Sequence, residues 1–322
     1  DLGLSPGDVP NWNAVTDIVI RNPRGREIRL PLPDAGQYAA VVPRADLDHR
    51  LAMLAVDAGA HLLEGVAFES LEAAADRVVT TTSDGPIQSH FVIAADGMWS
   101  PVRKSMGLAP DGYRGEWHAF RQYFSNVGPR AQHLVVWFEP DLLPGYAWSF
   151  PLPGQRANVG FGITRRGRHK VGDMKAIWDD LLTRPHVVEV LGPHAIPEDR
   201  HKAWPIPARV DEISLAVGRV LFVGDAAAAT DVMTGEGIGQ ALLTGRVAAE
   251  AIIAAGAAQP DVAADRYERA VAHHLFADHR MSKRLGRVLA HRRGAEAAIR
   301  IVAASGAWGR RNFARWMFED EP

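Results

Sequence analysis

The sequence predicts a mixed α/β fold, an α+β blend: an α/β domain split by an inserted antiparallel sheet and followed by a helical C-terminal region. Three observations carry that reading. Two short apolar runs, Phe91 to Ala95 and Val220 to Val223, each end in a turn built on Asp and Gly and lead towards a helix. Between them, residues 117–163 change texture, and aromatic and β-branched runs alternate with turns at strand spacing. Beyond residue 258 the pattern is helical. One domain interrupted by an insertion explains this order better than two domains in series. The expected divisions are 1–110, 111–210, 211–258 and 259–322.

In chain order, Val15 to Arg21 and Arg26 to Leu32 read as strands joined by the turn-rich tetrad Asn22 to Gly25. Arg44 to Ala58 has helical spacing in Leu47, Leu51, Leu54 and Ala55, and Gly59 ends it. Val66 to Phe68 and Arg77 to Thr82 read as strands, with Ser83-Asp84-Gly85 as a hairpin turn. His118 to Phe124, His133 to Phe138, Tyr146 to Phe150 and Ala157 to Ile163 supply the inserted sheet. Asp173 to Leu182 is helical. Lys202 to Val210 is extended, because Pro205 and Pro207 exclude a helix. Ile238 to Ala255, Asp265 to Ala290 and Ala295 to Ser305 are the remaining helices.

Residues 221–246, LFVGDAAAATDVMTGEGIGQALLTGR, carry the most chemistry. A strand reaches Gly224-Asp225, small residues follow, and Gly235-Glu236-Gly237 opens the helix that begins at Ile238. A helix start offers N–H groups without intrahelical partners and a positive dipole end, and glycines let a ligand approach the backbone. Asp225 either accepts a hydrogen bond from a ribityl or ribose hydroxyl or caps the following helix. Glu236 is stabilised by the helix dipole, and Thr234 is a candidate N-cap. Asp96 and Gly97, in FVIAADGMWSPVRKSMG (91–107), form either an Asx turn or a second ligand loop. Arg103 either reaches a phosphate or stands as a solvated helix residue. Tyr146, Trp148 and Phe150 alternate and so share one strand face, as core or as pocket wall.

The order of strand-ADG-x-x-S-x-x-R and strand-GDAA-GEG-helix resembles flavoproteins of the p-hydroxybenzoate-hydroxylase-like FAD superfamily. Tyr146-x-Trp148-x-Phe150-Pro151 and YAAVVPRADLDHRL (38–51) look like the geranylgeranyl reductase family. The resemblance runs from about residue 15 to about 255. It implies a split Rossmann-like FAD-binding domain around a substrate domain. Arg44, Asp96, Gly97, Gly224, Asp225, Gly235, Glu236, Gly237 and Ile238 would bind FAD, and Arg44 rests on the resemblance alone. Tyr146, Trp148 and Phe150 would bind substrate, with Tyr146 and Trp148 at the catalytic centre and Tyr146 as a proton donor or water-positioning group. The implied reaction is hydride transfer from reduced flavin to C=C bonds of a polyprenyl substrate, a geranylgeranyl lipid or the side chain of menaquinone. The electron donor, NAD(P)H or another, stays open. The alternatives are a class A-type monooxygenase acting on a small aromatic or polyketide, and a fragment that is inactive or binds isoprenoid without flavin.

Two departures from the family pattern stand out. Val232 occupies a position usually held by proline. No G-x-G-x-x-G occurs in residues 1–40, so the resemblance implies roughly 50–70 upstream residues carrying the pyrophosphate loop, without which FAD affinity would collapse.

Composition bounds the rest. The 322 residues carry a net charge of −2, which argues against general nucleic-acid binding. The absence of cysteine excludes disulfides, thiolate metal sites and a cysteine nucleophile within the chain. The thirteen histidines, His273, His274 and His279 among them, have poor ligand spacing, so no metal is expected. Arg and Ala richness suggests a GC-rich bacterial genome. No 18-residue run is uninterruptedly apolar and no signal peptide is visible, giving the expectation of a cytoplasmic protein without a transmembrane helix. Arg292, Arg293, Arg300, Arg310, Arg311 and Arg315, beside Ile299, Ile301, Trp308, Phe313, Trp316, Met317 and Phe318, suit either a docked helix or peripheral contact with an anionic membrane.

Overall fold

A computed structural model of the chain describes residues 3–32, 39–165 and 167–306. Tyr38 and the 307–318 part of the basic C-terminal segment lie outside the described residues. The chain divides into two compact units, one holding residues up to 63, 118–204 and those from 288 onward, the other 64–117 and 205–287. This differs from the expected boundaries at 110, 210 and 258.

The reason for the difference is strand pairing. The hairpin of Asp17–Arg21 and Glu27–Pro31 joins the large sheet of the first unit through a parallel pairing of Leu134–Trp137 with Asp17–Arg21, Val135 lying beside Val19. The sheet is therefore mixed. From Ile196–Pro197 its order runs through Trp117–Ser125, Arg156–Thr164, Tyr146–Leu152, Leu134–Trp137 and Asp17–Arg21 to Glu27–Pro31, and Lys202–Ile206 also pairs with Trp117–Ser125.

Alternation in these strands sorts side chains onto two faces. One face buries Phe120, Phe124, Val135, Trp137, Val159 and Phe161 against the helices Met174–Thr183 and Pro185–Leu191. Phe120 and Phe161 lie 5.4 and 6.3 Å from the Trp178 ring. The other face meets a smaller cluster of Val15, Ile18, Ile20, Leu30, Leu134 and Ile299, with Phe138 and Phe150 packed beside it.

A buried carboxylate organises the connection from Trp137 to Tyr146. Glu139 is 5% exposed. Its carboxylate lies 3.2 Å from Arg21 Nη1, 2.7 Å from Arg184 Nη1 and 3.0 Å from His186 Nε2. Its carbonyl accepts from the N–H groups of Leu142 and Leu143. Arg184 also holds Asp141 and Asp180, each at 2.7 Å. Burial alone would raise the Glu139 carboxyl, but His186, Arg184 and Arg21 outweigh it and hold the group below its ordinary value.

In the second unit, Val92–Ala94 pairs in parallel with Val220–Phe222, and Ala216–Val217 adds an antiparallel edge. A separate antiparallel sheet joins Phe68–Ala73, Val78–Thr82 and Gly85–Ser89. Val220, Leu221 and Phe222 are wholly buried against the helices Ile238–Ala255 and Pro260–Val271. Tyr267 donates its hydroxyl to the Phe222 carbonyl. Arg219, 5% exposed, donates to the carbonyls of Ala75, His90 and Ala257, joining three connections.

Ile238–Ala255 is long and apolar enough, by length and composition, to cross a membrane. The search for an unbroken apolar run misses this because Gln240, Thr244, Arg246 and Glu250 punctuate the helix. Its Leu243, Val247, Ala248 and Ala251 nevertheless lie in the core of the second unit. The segment expected as one helix from Asp265 to Ala290 is instead Pro260–Val271, a π turn at Ala272–Phe276 and Ala277–Leu289.

The depressed Glu139 carboxyl contributes stability that is complete above the ordinary carboxylate value near 4.5 and is lost as pH falls through the lower folded value. Arg184→Met is expected to cost about 3 kcal/mol at neutral pH, since it leaves carboxylates unpaired, and to diminish the loss of stability on acidification. Urea unfolding at pH 7 and pH 4 checks both.

Candidate functional site

The Gly-Asp and Gly-Glu-Gly segments are joined through one threonine. Gly224 takes a left-handed φ of +55° at the end of the Val220–Phe222 strand, and a 3-10 turn, Gly224–Ala227, follows. An added Cβ there would lie 3.2 Å from Ala241 Cβ, so the helix Ile238–Ala255 crosses close over this turn. The Gly224 N–H donates to Thr244 Oγ1 at 2.9 Å. Thr230 Oγ1 donates to Asp225 Oδ1 at 3.1 Å, and a Cβ added to Gly237 would stand 3.0 Å from the same Oγ1. Asp225, Thr230 and Gly237 thus converge, and a side chain at Gly237 would push Thr230 aside by a few tenths of an ångström.

Asp231, which sequence reasoning passed over, folds the intervening loop. Its Oδ1 accepts from the N–H groups of Met233 and Thr234 and from Thr234 Oγ1, while its N–H donates to the Glu236 carbonyl. The Asp-x-x-Thr spacing is the signal that would have found it. The helix N-cap is Gly237 rather than Thr234. Glu236 is exposed, and its Oε1 accepts from the Ile238 N–H at 2.8 Å, the capping role open to it from the sequence. At Val232 the carbonyl accepts from Trp117 Nε1 at 2.7 Å, which fixes the loop path without a proline.

Asp96 Oδ2 accepts from the Val102 N–H at 2.9 Å and Ser100 Oγ from the Arg103 N–H at 3.0 Å, so both cap the helix Pro101–Ser105. Gly97, at φ +78°, makes the turn between strand and helix. Arg103 takes neither role open to it from the sequence. It is 6% exposed, donates to the Ala226 carbonyl at 2.7 Å and the Ser214 carbonyl at 2.6 Å, and lies 3.9 Å over the Phe222 ring. Burial lowers its pKa to about 10, with Asp96 opposing, so it keeps its charge at neutral pH. Beside it opens a cavity of about 280 Å³ lined by Trp99, Lys104, Tyr113, Arg209 and Asp225. The Arg209 guanidinium lies 3.3 Å from the Tyr113 ring centroid. Burial, then hydrogen bonding to Glu116, pushes the Tyr113 hydroxyl far above its ordinary range.

The remaining sequence-predicted residues belong to the first unit. Tyr146, Trp148 and Phe150 share one face of their strand, and Phe138 extends the row. Successive ring centroids from Phe138 through Tyr146 and Trp148 to Phe150 lie 6.1, 5.8 and 5.7 Å apart. The neighbouring strand sets Gly162 opposite Tyr146 and Gly160 opposite Trp148. A Cβ on Gly160 would lie 2.5 Å from Trp148 Cζ2, so the indole rests across bare backbone. Phe150 packs with the smaller apolar cluster, whereas Tyr146 and Trp148 stand beyond it. Arg44 begins the helix Arg44–Asp57, is exposed, and pairs with Asp48 at 3.0 Å.

The second-unit residues fit the flavin end of FAD. They offer a half-buried carboxylate at a strand end, glycine backbone that a Cβ would obstruct, and the N-terminus of an 18-residue helix. Gln240, in the first turn of that helix, holds a buried Oε1 with no hydrogen-bond partner among the described residues.

The chain is 30% identical over 272 residues to the menaquinone reductase of Mycobacterium tuberculosis, covering 76% of this chain and 62% of that protein. It is 32% identical over 241 residues to digeranylgeranylglycerophospholipid reductase 1 of Methanopyrus kandleri, covering 70% and 62%. The chain therefore spans about 62% of the length of these curated relatives. A geranylgeranyl bacteriochlorophyll reductase-like protein of Thermoplasma acidophilum shares the fold, with a TM-score of 0.79 at 21% identity over 99% of this chain and 83% of that one.

Arg103 ties together the two loops that the fit to flavin invokes. Arg103→Lys, which cannot fork to two carbonyls, is expected to lose about 2 kcal/mol of stability in denaturant unfolding; an unchanged midpoint would remove it from this role. Both loops fall within residues 9–275, the span that matches the FAD binding domain family. The chain adopts the FAD-binding, Rossmann-like fold and belongs to the FAD binding domain family.

Proposed function

We propose that the chain is part of an FAD-dependent oxidoreductase that reduces C=C bonds of a polyprenyl substrate, a geranylgeranyl lipid or the side chain of menaquinone. The observation that carries this reading is the row of aromatic rings, with the Trp148 indole lying across the bare backbone of Gly160. An isoprenoid chain has almost no polar atoms to satisfy, and each buried CH₂ is worth about 0.8 kcal/mol on such a surface. The names of the two sequence relatives support it.

In this reading Asp225 holds a ribityl hydroxyl, with Thr230 fixing its carboxylate. The backbone of Gly235 and Gly237 and the helix start at Ile238 would hold the pyrimidine edge of the flavin, where the positive dipole end would favour negative charge. Gly224 keeps the turn close to the helix, Asp96 and Gly97 shape the second loop, Glu236 caps the helix, and Arg44 contributes a cation. When bound and reduced, FAD supplies the hydride. Trp148 holds the isoprenoid chain and excludes water from it, and Phe150 closes the row where it meets the apolar cluster. Tyr146 holds a proton on its hydroxyl oxygen for the neighbouring carbon, or orders the water that carries it. The electron donor is NAD(P)H or another reductant. A lipid substrate further implies a cytoplasmic protein in peripheral contact with the inner face of the membrane.

The full-length protein, loaded with FAD and chemically reduced without oxygen, then offered menaquinone or a geranylgeranyl lipid, should give a product about 2 mass units heavier per bond reduced. No mass change with either substrate would sink the substrate class, and a gain of about 16 only with oxygen would make the protein a monooxygenase. Trp148→Ala should raise KM at least about tenfold with the flavin spectrum unchanged, while Tyr146→Phe should lower kcat with little effect on KM.

A further inference from the structure

The helix Ala277–Leu289 carries a surface that the cofactor loops and the aromatic row do not explain. It buries His279 and Ser282. Elsewhere on its circumference, Met281, Leu285 and Val288 fall at spacings of four and three residues, which sets them on one stripe about 60° wide. They are 39%, 39% and 52% exposed. Three large apolar side chains in a row are thus left in water, whereas isolated ones need no explanation.

The charge along one edge of the stripe is basic, while the exposed Asp278 stands alone at the other edge. Arg280, Arg284 and Arg287 lie about 40–100° round the helix from its Val288 edge. None of the three has an acidic partner among the described residues. The fourth cation of the helix differs: Lys283 is tied to Asp211 at 2.8 Å and to Glu212 at 2.7 Å. The helix therefore has a buried face, an apolar exposed stripe and a cationic flank. A helix that only docks on its own core has no use for the middle one.

We propose that this stripe seats the protein on an anionic lipid bilayer, with Met281, Leu285 and Val288 entering the acyl boundary and Arg280, Arg284 and Arg287 meeting headgroup phosphates. Charge complementarity selects this occupant, because arginine snorkels from an apolar surface to an anionic one, and a second copy of the same helix would offer its three arginines only Asp278 as an acidic partner. The inference deepens the membrane reading above and rests on it. It assigns that contact to Ala277–Leu289 instead of to the segment from 292 onward.

The test is co-sedimentation of the chain with phosphatidylglycerol–phosphatidylcholine vesicles, with phosphatidylcholine vesicles as reference. The expected result is binding to the anionic vesicles that weakens with salt and falls at least about tenfold in Leu285→Glu/Val288→Glu and in Arg284→Glu/Arg287→Glu. Ile253→Glu, at a residue 80% exposed on another helix, should bind as the parent does. Circular dichroism and the unfolding midpoint show that each variant folds. Failure of the parent to sediment, or stripe variants that bind as the parent does, would overturn the proposal. So would concentration-dependent self-association abolished by Leu285→Glu without vesicle binding. Turnover of detergent-dispersed substrate is measured alongside. Lost vesicle binding with retained turnover assigns the stripe to the membrane alone, and stripe-dependent vesicle binding without turnover on any polyprenyl substrate sinks only the substrate reading.

Discussion

The arrangement of the second unit depends on one buried cation. Arg103 starts from the short helix after Asp96-Gly97, and its guanidinium ends on the carbonyls of Ser214 and Ala226, on either side of the Val220–Phe222 strand. Removing a guanidinium from water costs several kcal/mol unless its donors are satisfied. Carbonyl oxygens held by the strand framework satisfy two of them, and the Phe222 ring covers the face. The loops at Gly97 and Gly224 therefore cannot drift apart without stranding a charge. Arg219 repeats the device at the other end of the strand, where it joins Ala75, His90 and Ala257.

Much of this was legible in the sequence where a local rule applies. Ile238–Ala255 begins after Gly-Glu-Gly and ends before Gly256, as capping chemistry dictates. Alternation marked the strands between residues 117 and 164, and the turn of Asn22 to Gly25 showed its Asx chemistry, Asn22 Oδ1 accepting from the Arg24 and Arg26 N–H groups. What escaped were partnerships distant in sequence. Nothing in DIVIR or LVVW announces that Ile18 lies beside Leu134 in a parallel pairing across more than a hundred residues, so the sequence by itself does not join the hairpin to that sheet. Arg103 and Arg219 look solvated in any window, because their acceptors are carbonyls that carry no sequence identity. The helix Pro185–Leu191 is too short for periodicity to declare it.

The aromatic row shows how a pattern and its context divide the information. Period-two spacing places Tyr146, Trp148 and Phe150 together but says nothing of what they cover. The partner strand supplies that: Asn158, Gly160 and Gly162 oppose them, and at Gly160 the Trp148 indole lies down on the backbone. Phe150, nearer the Asp17–Arg21 side of the sheet, is drawn into an apolar cluster instead. One strand face thus serves as core at one end and as a ring-lined surface at the other.

The π turn at Ala272–Phe276 fixes a phase relation that no composition encodes. A π turn accommodates one residue more than the α-helical turn it replaces, which advances everything after it by about 100° around the axis. In a continuous helix from Pro260 onward, the line of Met281, Leu285 and Val288 would emerge roughly a quarter turn away from where it does. The helix Ala277–Leu289 is therefore indexed by a single inserted residue. Its length and chemistry would survive a one-residue deletion in 272–276, but the direction in which it offers its apolar side would not.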